Sequence, residues 1–134
     1  MNNGDVVRAF YDGWNRGEID FGALVAEEIV NHQPEAEPER GRDAFAAAIA
    51  GVMTAIPDST WTIEDIVEEG DRVAVRTTWQ GTFRGSTFRG VAVTAGGRFE
   101  VEHVHIYRLR GGKLAEHWVV RDDLTMLRQL GAVF

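Results

Sequence analysis

His103 and His105 lie two residues apart in a run of alternating apolar residues, and Asp122 follows Glu116-His117-Trp118 a short distance on. A carboxylate and imidazoles on facing strands are equipment for proton transfer. An exposed aspartate titrates near pH ~3.9 and is a weak base at neutrality, but burial raises its pKa at a cost of about 1.4 kcal/mol per unit. A tuned Asp122 could then remove a proton next to a carbonyl or protonate a carbonyl oxygen, and a neutral His105 or His103 could donate a hydrogen bond to the developing enolate. Each residue also has a purely structural reading. Asp122 or Asp123 is well placed to cap a helix that starts at Leu124, His103 and His105 can simply pack within a sheet, and His32 beside Pro34 can be a loop histidine.

The elements that must position these groups are legible from periodicity. Val6, Phe10 and Trp14, with Val7 and Tyr11 beside them, recur at helical spacing and predict a helix that begins after Asn2-Asn3 and ends near Asn15-Arg16-Gly17. A short helix is expected from Asp20 to Glu27, a strand from Ile29 to His32 before Pro34, and a polar loop from Glu35 to Arg40. Phe45, Ile49, Val52 and Ile56 mark another helix, which Pro57-Asp58 ends. The period then changes to two, with strands expected at Trp61 to Glu68, Val73 to Phe83, Phe88 to Thr94, Arg98 to Leu109 and Leu114 to Asp122. Leu124 to Leu130 forms a closing helix. The short repeat Phe83-Arg84-Gly85 and Phe88-Arg89-Gly90 is too small to be architectural and is expected to bracket a bend or bulge. Helices first and a curled antiparallel sheet afterwards define an α+β fold.

The last hairpin decides which side chains meet. With Gly111 and Gly112 at its turn, an uninterrupted register sets His105 opposite Trp118, His103 opposite Val120 and Val101 opposite Asp122. Alternation then puts His103, His105, Tyr107, Trp118 and Asp122 on one face and turns His117 away. An aromatic face with a few titratable groups is the usual lining of a small-molecule pocket.

Composition narrows the ligand. The 134 residues are 44% hydrophobic and fit one domain, and 21 acidic against 14 basic side chains give a net charge of −7, which argues against nucleic acid or an anionic membrane as partner. The chain has no cysteine, hence no disulfide, thiolate nucleophile or cysteine-based metal site. No basic and apolar leader and no 18-residue apolar run occurs, so a cytoplasmic protein is expected. His103-Val104-His105 has a spacing found in metal sites, but nothing supplies the remaining ligands, and no metal is expected. Serine-hydrolase elbow, phosphate loop and dinucleotide motifs are missing.

The ordered set Phe10-Tyr11, Trp14-Asn15-Arg16-Gly17, Asn31-His32, Pro57-Asp58, Glu69-Gly70-Asp71-Arg72-Val73, Gly81-Thr82, Tyr107-Arg108, Gly112-Lys113-Leu114, Glu116-His117-Trp118, Asp122 and Gln129-Leu130-Gly131 resembles the SnoaL-like polyketide cyclases. These are also called ester cyclases and belong to the nuclear transport factor two-like superfamily. The resemblance spans nearly the whole chain and implies a single domain, 1–134. It implies a curved sheet wrapped by helices into a cone with an apolar pocket, commonly paired as a homodimer, and intramolecular aldol chemistry without metal or organic cofactor. It assigns the acid/base role to Asp122 and a pocket histidine to His105 or His103, with Tyr11, Trp14 and His32 on the pocket wall. Val93-Thr94-Ala95-Gly96-Gly97 departs from the Pro-Thr-Gly stretch common at that point in relatives. The reading is an enzyme acting on a hydrophobic, carbonyl-bearing small molecule, a cyclase or related isomerase, with Trp79, Tyr107 and Trp118 as further walls. A non-catalytic ligand-binding domain is the competing reading, in which Asp122 is only a cap. Hydratase or epoxide-hydrolase chemistry is another, and requires Asn31 or Arg76 inside the cone.

Overall fold

Asn2 caps the first helix by accepting the Asp5 N–H while Asp5 returns a bond to the Asn2 N–H, and Gly17 ends it at φ 72°, a backbone conformation that favours glycine. The buried side of this helix carries Val6, Val7, Phe10, Tyr11 and Trp14, as its four-residue spacing predicts. The computed structural model describes residues 1–34 and 36–133. In chain order its elements are α1 (Asn3–Arg16), α2 (Phe21–Leu24), β1 (Val25–Asn31), β2 (Glu39–Arg40), α3 (Arg42–Ala55), β3 (Thr60–Glu69), β4 (Arg72–Phe83), β5 (Thr87–Phe88), β6 (Val91–Ala92), β7 (Gly97–Arg110), β8 (Lys113–Arg121) and α4 (Asp123–Gln129). The expected α+β class holds.

Among the described residues the main sheet runs β2-β1-β8-β7-β4-β3, and β5 pairs with β6 in a separate hairpin. Every pairing is antiparallel except β1 with β8, which is parallel. Helices α1 and α3 pack over one face of the sheet, so that Phe10, Phe45, Tyr11 and Tyr107 share one core with the inward residues of β4 and β7.

Several boundaries differ from the expectation. The helix anticipated to Glu27 stops at Leu24, because Val25 and Ile29 are fully buried in a strand that must reach β8. The expected loop from Glu35 to Arg40 ends in strand β2, and Glu35 itself lies outside the described residues. The strand anticipated from Phe88 to Thr94 is instead a hairpin turning at Arg89 (φ 52°) and Gly90 (φ 78°), the paired positive φ values of a tight two-residue turn. Gly90 of the short repeat thus marks a turn, as expected.

Strand β8 departs from the uninterrupted register. Arg110 opposes Lys113 and Leu109 opposes Leu114 as the uninterrupted register requires, but Arg108 then opposes Glu116. Ala115 is an extra residue, a β-bulge, and Leu114 and Ala115 are buried in succession. Beyond it Tyr107 faces His117, His105 faces Val119 and His103 faces Arg121. His117 therefore turns inward and Trp118 and Val120 turn outward, the reverse of the expected faces.

Candidate functional site

The inward faces of β3, β4, β7 and β8 and the apolar sides of α1 and α3 enclose a cavity of about 400 Å³. Its wall is chiefly aromatic. Tyr11 and Trp14 come from α1, Trp61 from β3, Trp79 from β4 and Tyr107 from β7, while Phe88 and Arg89 reach it from the β5–β6 hairpin. Local clasps hold this wall in place. Asn15 exchanges two bonds of 2.8 Å with the Trp61 backbone, fixing α1 to β3, and the Trp14 Nε1–H donates to Ser59 Oγ at 3.1 Å. Trp61 and Trp79 are register partners and stack at 5.0 Å, and both of their indole N–H groups are buried without a hydrogen-bond partner.

The polar groups lie in one band along the sheet. His103, His105 and His117 are all buried in the wall. His117 Nδ1 is 2.6 Å from Asn31 Oδ1 and its Nε2 is 2.8 Å from His105 Nδ1, while His105 Nε2 and His103 Nδ1 have no partner. Burial drives all three toward the neutral form: His103 is lowered to about 4 and His117 to about 3, and His105 falls well below the ordinary value of 6.5. Beside them Tyr11 and Tyr107 share a hydroxyl–hydroxyl hydrogen bond of 2.6 Å, and burial raises the pKa of each.

Arg121 and Asp123 also line the cavity, together with Gln33 and Arg89. Arg121 Nε contacts both Asp123 oxygens at 3.3 Å and its Nη1 donates to Gln33 Oε1 at 2.7 Å; Arg89 Nε lies 3.5 Å from Asp123 Oδ2.

The structure brings together His103, His105, Tyr11, Trp14, Trp79 and Tyr107, as the sequence reading places them. It does not bring Asp122, His32 or Trp118 to this wall. Asp122 is the N-cap of α4, accepting from Thr125 N at 3.1 Å and Thr125 Oγ1 at 2.7 Å, and these two bonds hold its carboxyl below the ordinary carboxylate value. Trp118, turned outward by the bulge, stacks on His32 at 5.1 Å with the Arg72 guanidinium over its ring. His32 Nε2 meets Glu116 Oε2 at 2.6 Å, and that bond is the main cause of the lowered Glu116 pKa. Of the two alternative polar partners for water chemistry, Asn31 lines the cavity, whereas Arg76 pairs with Asp65 and Glu102 on exposed side chains.

Trp61, His117, Asp123 and Arg121 were not among the residues singled out for the site. Trp61 carries a signal, since it opens the period-two run of β3, and the bulge turns His117 to the face opposite the one that an uninterrupted register gives it. Among the described residues no group of three or more His, Cys, Asp and Glu side chains is placed to hold a metal ion, and no helix is long and apolar enough to cross a membrane.

Comparison with known proteins agrees with this architecture. The family model of the SnoaL-like polyketide cyclases matches residues 4–130. Aklanonic acid methyl ester cyclase DauD of Streptomyces sp. strain C5 is 33% identical over 135 residues, covering 95% of this chain and 80% of DauD. The crystal structure of IdmH from Streptomyces antibioticus, a candidate polyketide cyclase, superposes with a TM-score of 0.80 at 32% identity, covering 98% of this chain and 99% of that one. A SnoaL-like polyketide cyclase from Agrobacterium tumefaciens, 23% identical, has the same fold with a TM-score of 0.84 over 98% of this chain and 99% of its own. With its aromatic cone, its ordered signature residues and a family match running almost from end to end, the protein belongs to the SnoaL-like polyketide cyclase family.

Proposed function

We propose that the protein is a cyclase that closes a ring in an aromatic, carbonyl-bearing polyketide by intramolecular aldol addition, using proton transfer among its own side chains. The observation that carries this reading is the pair of buried, unpartnered imidazole nitrogens, His105 Nε2 and His103 Nδ1, in the wall of a cavity rich in aromatic side chains. Tryptophan, tyrosine and phenylalanine side chains in the wall suit a flat polycyclic substrate. One imidazole nitrogen takes a proton from the carbon next to a carbonyl, and the C–H electron pair becomes an enolate. The orphan indole N–H groups of Trp61 and Trp79 are suitable donors for its oxygen. The enolate carbon attacks the second carbonyl, and the resulting alkoxide recovers a proton, so that substrate and product have the same atoms.

The acid/base carboxylate implied by the resemblance is Asp122, but it caps α4 and does not line the cavity. We assign the carboxylate that faces substrate to Asp123, which lines the cavity and whose charge raises the His103 pKa more than that of Asp122 does. We further propose that two copies pair through the outer sheet face, where Val104, Ile106 and Val120 are exposed.

Aklanonic acid methyl ester, the compound named for the relative DauD, is the first probe. Incubation with purified protein should give a product of unchanged mass and altered absorbance, resolved by chromatography and mass spectrometry. Asp123→Asn should reduce conversion by about 10²-fold or more while Asp122→Asn stays near wild type. The opposite pattern would return the role to Asp122. Tight binding of the ester without any conversion would favour the non-catalytic ligand-binding reading.

A further inference from the structure

Four strands carry a single row of side chains across the cavity face: Asn31 is the register partner of Glu39 on β2 and of His117 on β8, and His117 in turn reaches His105 on β7. The contacts run Glu39 Oε1 to Asn31 Nδ2 at 3.4 Å, Asn31 Oδ1 to His117 Nδ1 at 2.6 Å, and His117 Nε2 to His105 Nδ1 at 2.8 Å. We propose that Glu39 is a positioning residue that fixes the direction of every proton in this row, so that His105 carries an unprotonated Nε2 in the cavity wall as its proton acceptor. This rests on the cyclase reading for the use of that nitrogen, but not for its protonation.

The direction follows from donor and acceptor chemistry alone. An ionised carboxylate only accepts, so Glu39 selects the amide orientation in which Asn31 gives its NH₂ to Glu39 and turns its oxygen to His117. An amide oxygen also only accepts, so the His117 proton must sit on Nδ1. Neutral His117 then has a lone pair on Nε2, and the contact to His105 requires that His105 carry its own proton on Nδ1. His105 Nε2 is left with a lone pair, buried and unpartnered. The burial that keeps both rings neutral preserves this order, because an imidazolium at either position would donate from both nitrogens. The sequence reading, in which a neutral histidine donates to the enolate, is thereby inverted for His105: it accepts first and donates only once protonated. Glu39 does not itself line the cavity and acts only through Asn31 and His117.

Nuclear magnetic resonance of protein labelled with ¹⁵N-histidine, recorded without ligand, tests the assignment. Wild type should show His105 and His117 as neutral Nδ1–H tautomers. Glu39→Leu, whose substituted position is exposed on a two-residue edge strand, should release the amide of Asn31 and give mixed tautomers at both rings. Glu39→Gln, whose amide oxygen can still accept from Asn31, should restore the wild-type pattern. An Nε2–H tautomer at His105 in wild type, or an unchanged spectrum in Glu39→Leu, overturns the proposal. Because no substrate is involved, failure here is distinguishable from failure of the ester to cyclise.

Discussion

Three of the four histidines are buried in the cavity wall, and this makes the protein's stability a reporter of their charge. For His103 and His117 the folded-state values of about 4 and about 3 lie below the unfolded value of 6.5, so the unfolded chain binds protons first as pH falls. Stability should be flat above about pH 6.5 and decrease below it, with a slope of at most ~1.4 kcal/mol per pH unit for each histidine. Denaturant midpoints measured between about pH 4.5 and 7.5 read this window. The depressed carboxylates of Asp58, Asp122 and Glu116 act in a separate one: their contribution is present above the unfolded carboxylate values and is lost as pH falls through the lower folded ones. His103→Gln should make the upper slope shallower, and an unchanged slope would show that His103 is already protonated in the fold. Asp122 is tested by its cap: Asp122→Ala should lower the Tm, whereas Asp122→Asn should leave it nearly unchanged, because asparagine caps a helix as well as aspartate. The inward placement of His103, His105 and Tyr107 was legible from strand alternation, and that of Tyr11 and Trp14 from the family resemblance. The protonation order was not, since it depends on Asn31 and Glu39, distant from His105 in sequence and joined to it only through the sheet.

One inserted residue explains most of what the sequence reading misplaced. The strands, their turn at Gly111-Gly112 and the pair Arg110–Lys113 were all readable, but nothing in Leu114-Ala115-Glu116 announces that Ala115 is extra, and a one-residue slip exchanges the two faces of everything beyond it. Deleting Ala115 would impose the uninterrupted register, sending Trp118 and Val120 inward and His117 outward. The deletion should abolish the cooperative unfolding transition, and a protein that unfolds cooperatively with wild-type near-ultraviolet dichroism would show that the bulge can be absorbed elsewhere. The signature residues fare differently, because many of them are clasps between elements and not chemistry. Asn15 ties α1 to β3, Asp58 accepts the Thr82 N–H and hydroxyl, and Gln129 bonds both backbone groups of Glu100. Gly81 belongs with them: a Cβ there would lie 2.6 Å from Ile56 Cγ2 and 3.2 Å from Ser59 Cα. Gly81→Ala should therefore destabilise the fold by about 1–3 kcal/mol, read from denaturant midpoints, and a neutral result would mean that the Ile56 turn yields freely. Such clasps make the family recognisable while leaving the reaction open, since they specify the cone and not what enters it.

The molecule as a whole presents two unlike sheet faces. One is closed by α1, α3 and the cavity, and the other carries Val104, Ile106 and Val120, at 38%, 37% and 70% exposure, among paired charges such as Arg76 with Asp65 and Glu102. The overall class was legible because the hydrophobic period changes from helical to two at Trp61, and the parallel β1–β8 pairing was not, since it joins segments far apart in sequence. An apolar stripe flanked by ion pairs on an uncovered sheet face suits a self-complementary contact, in which a two-fold axis places the stripe of one copy against that of the other. A single charge at its most exposed point should then be decisive, since an ionised group buried in such a contact has no partner. Sedimentation equilibrium of the wild type is expected to give twice the 14.9 kDa chain mass. Val120→Glu should give the single-chain mass with an unchanged far-ultraviolet spectrum, because residue 120 is exposed in the isolated chain and glutamate there disturbs nothing within it. A wild type that sediments at the single-chain mass, or a Val120→Glu variant that remains a dimer, would remove this face as the interface.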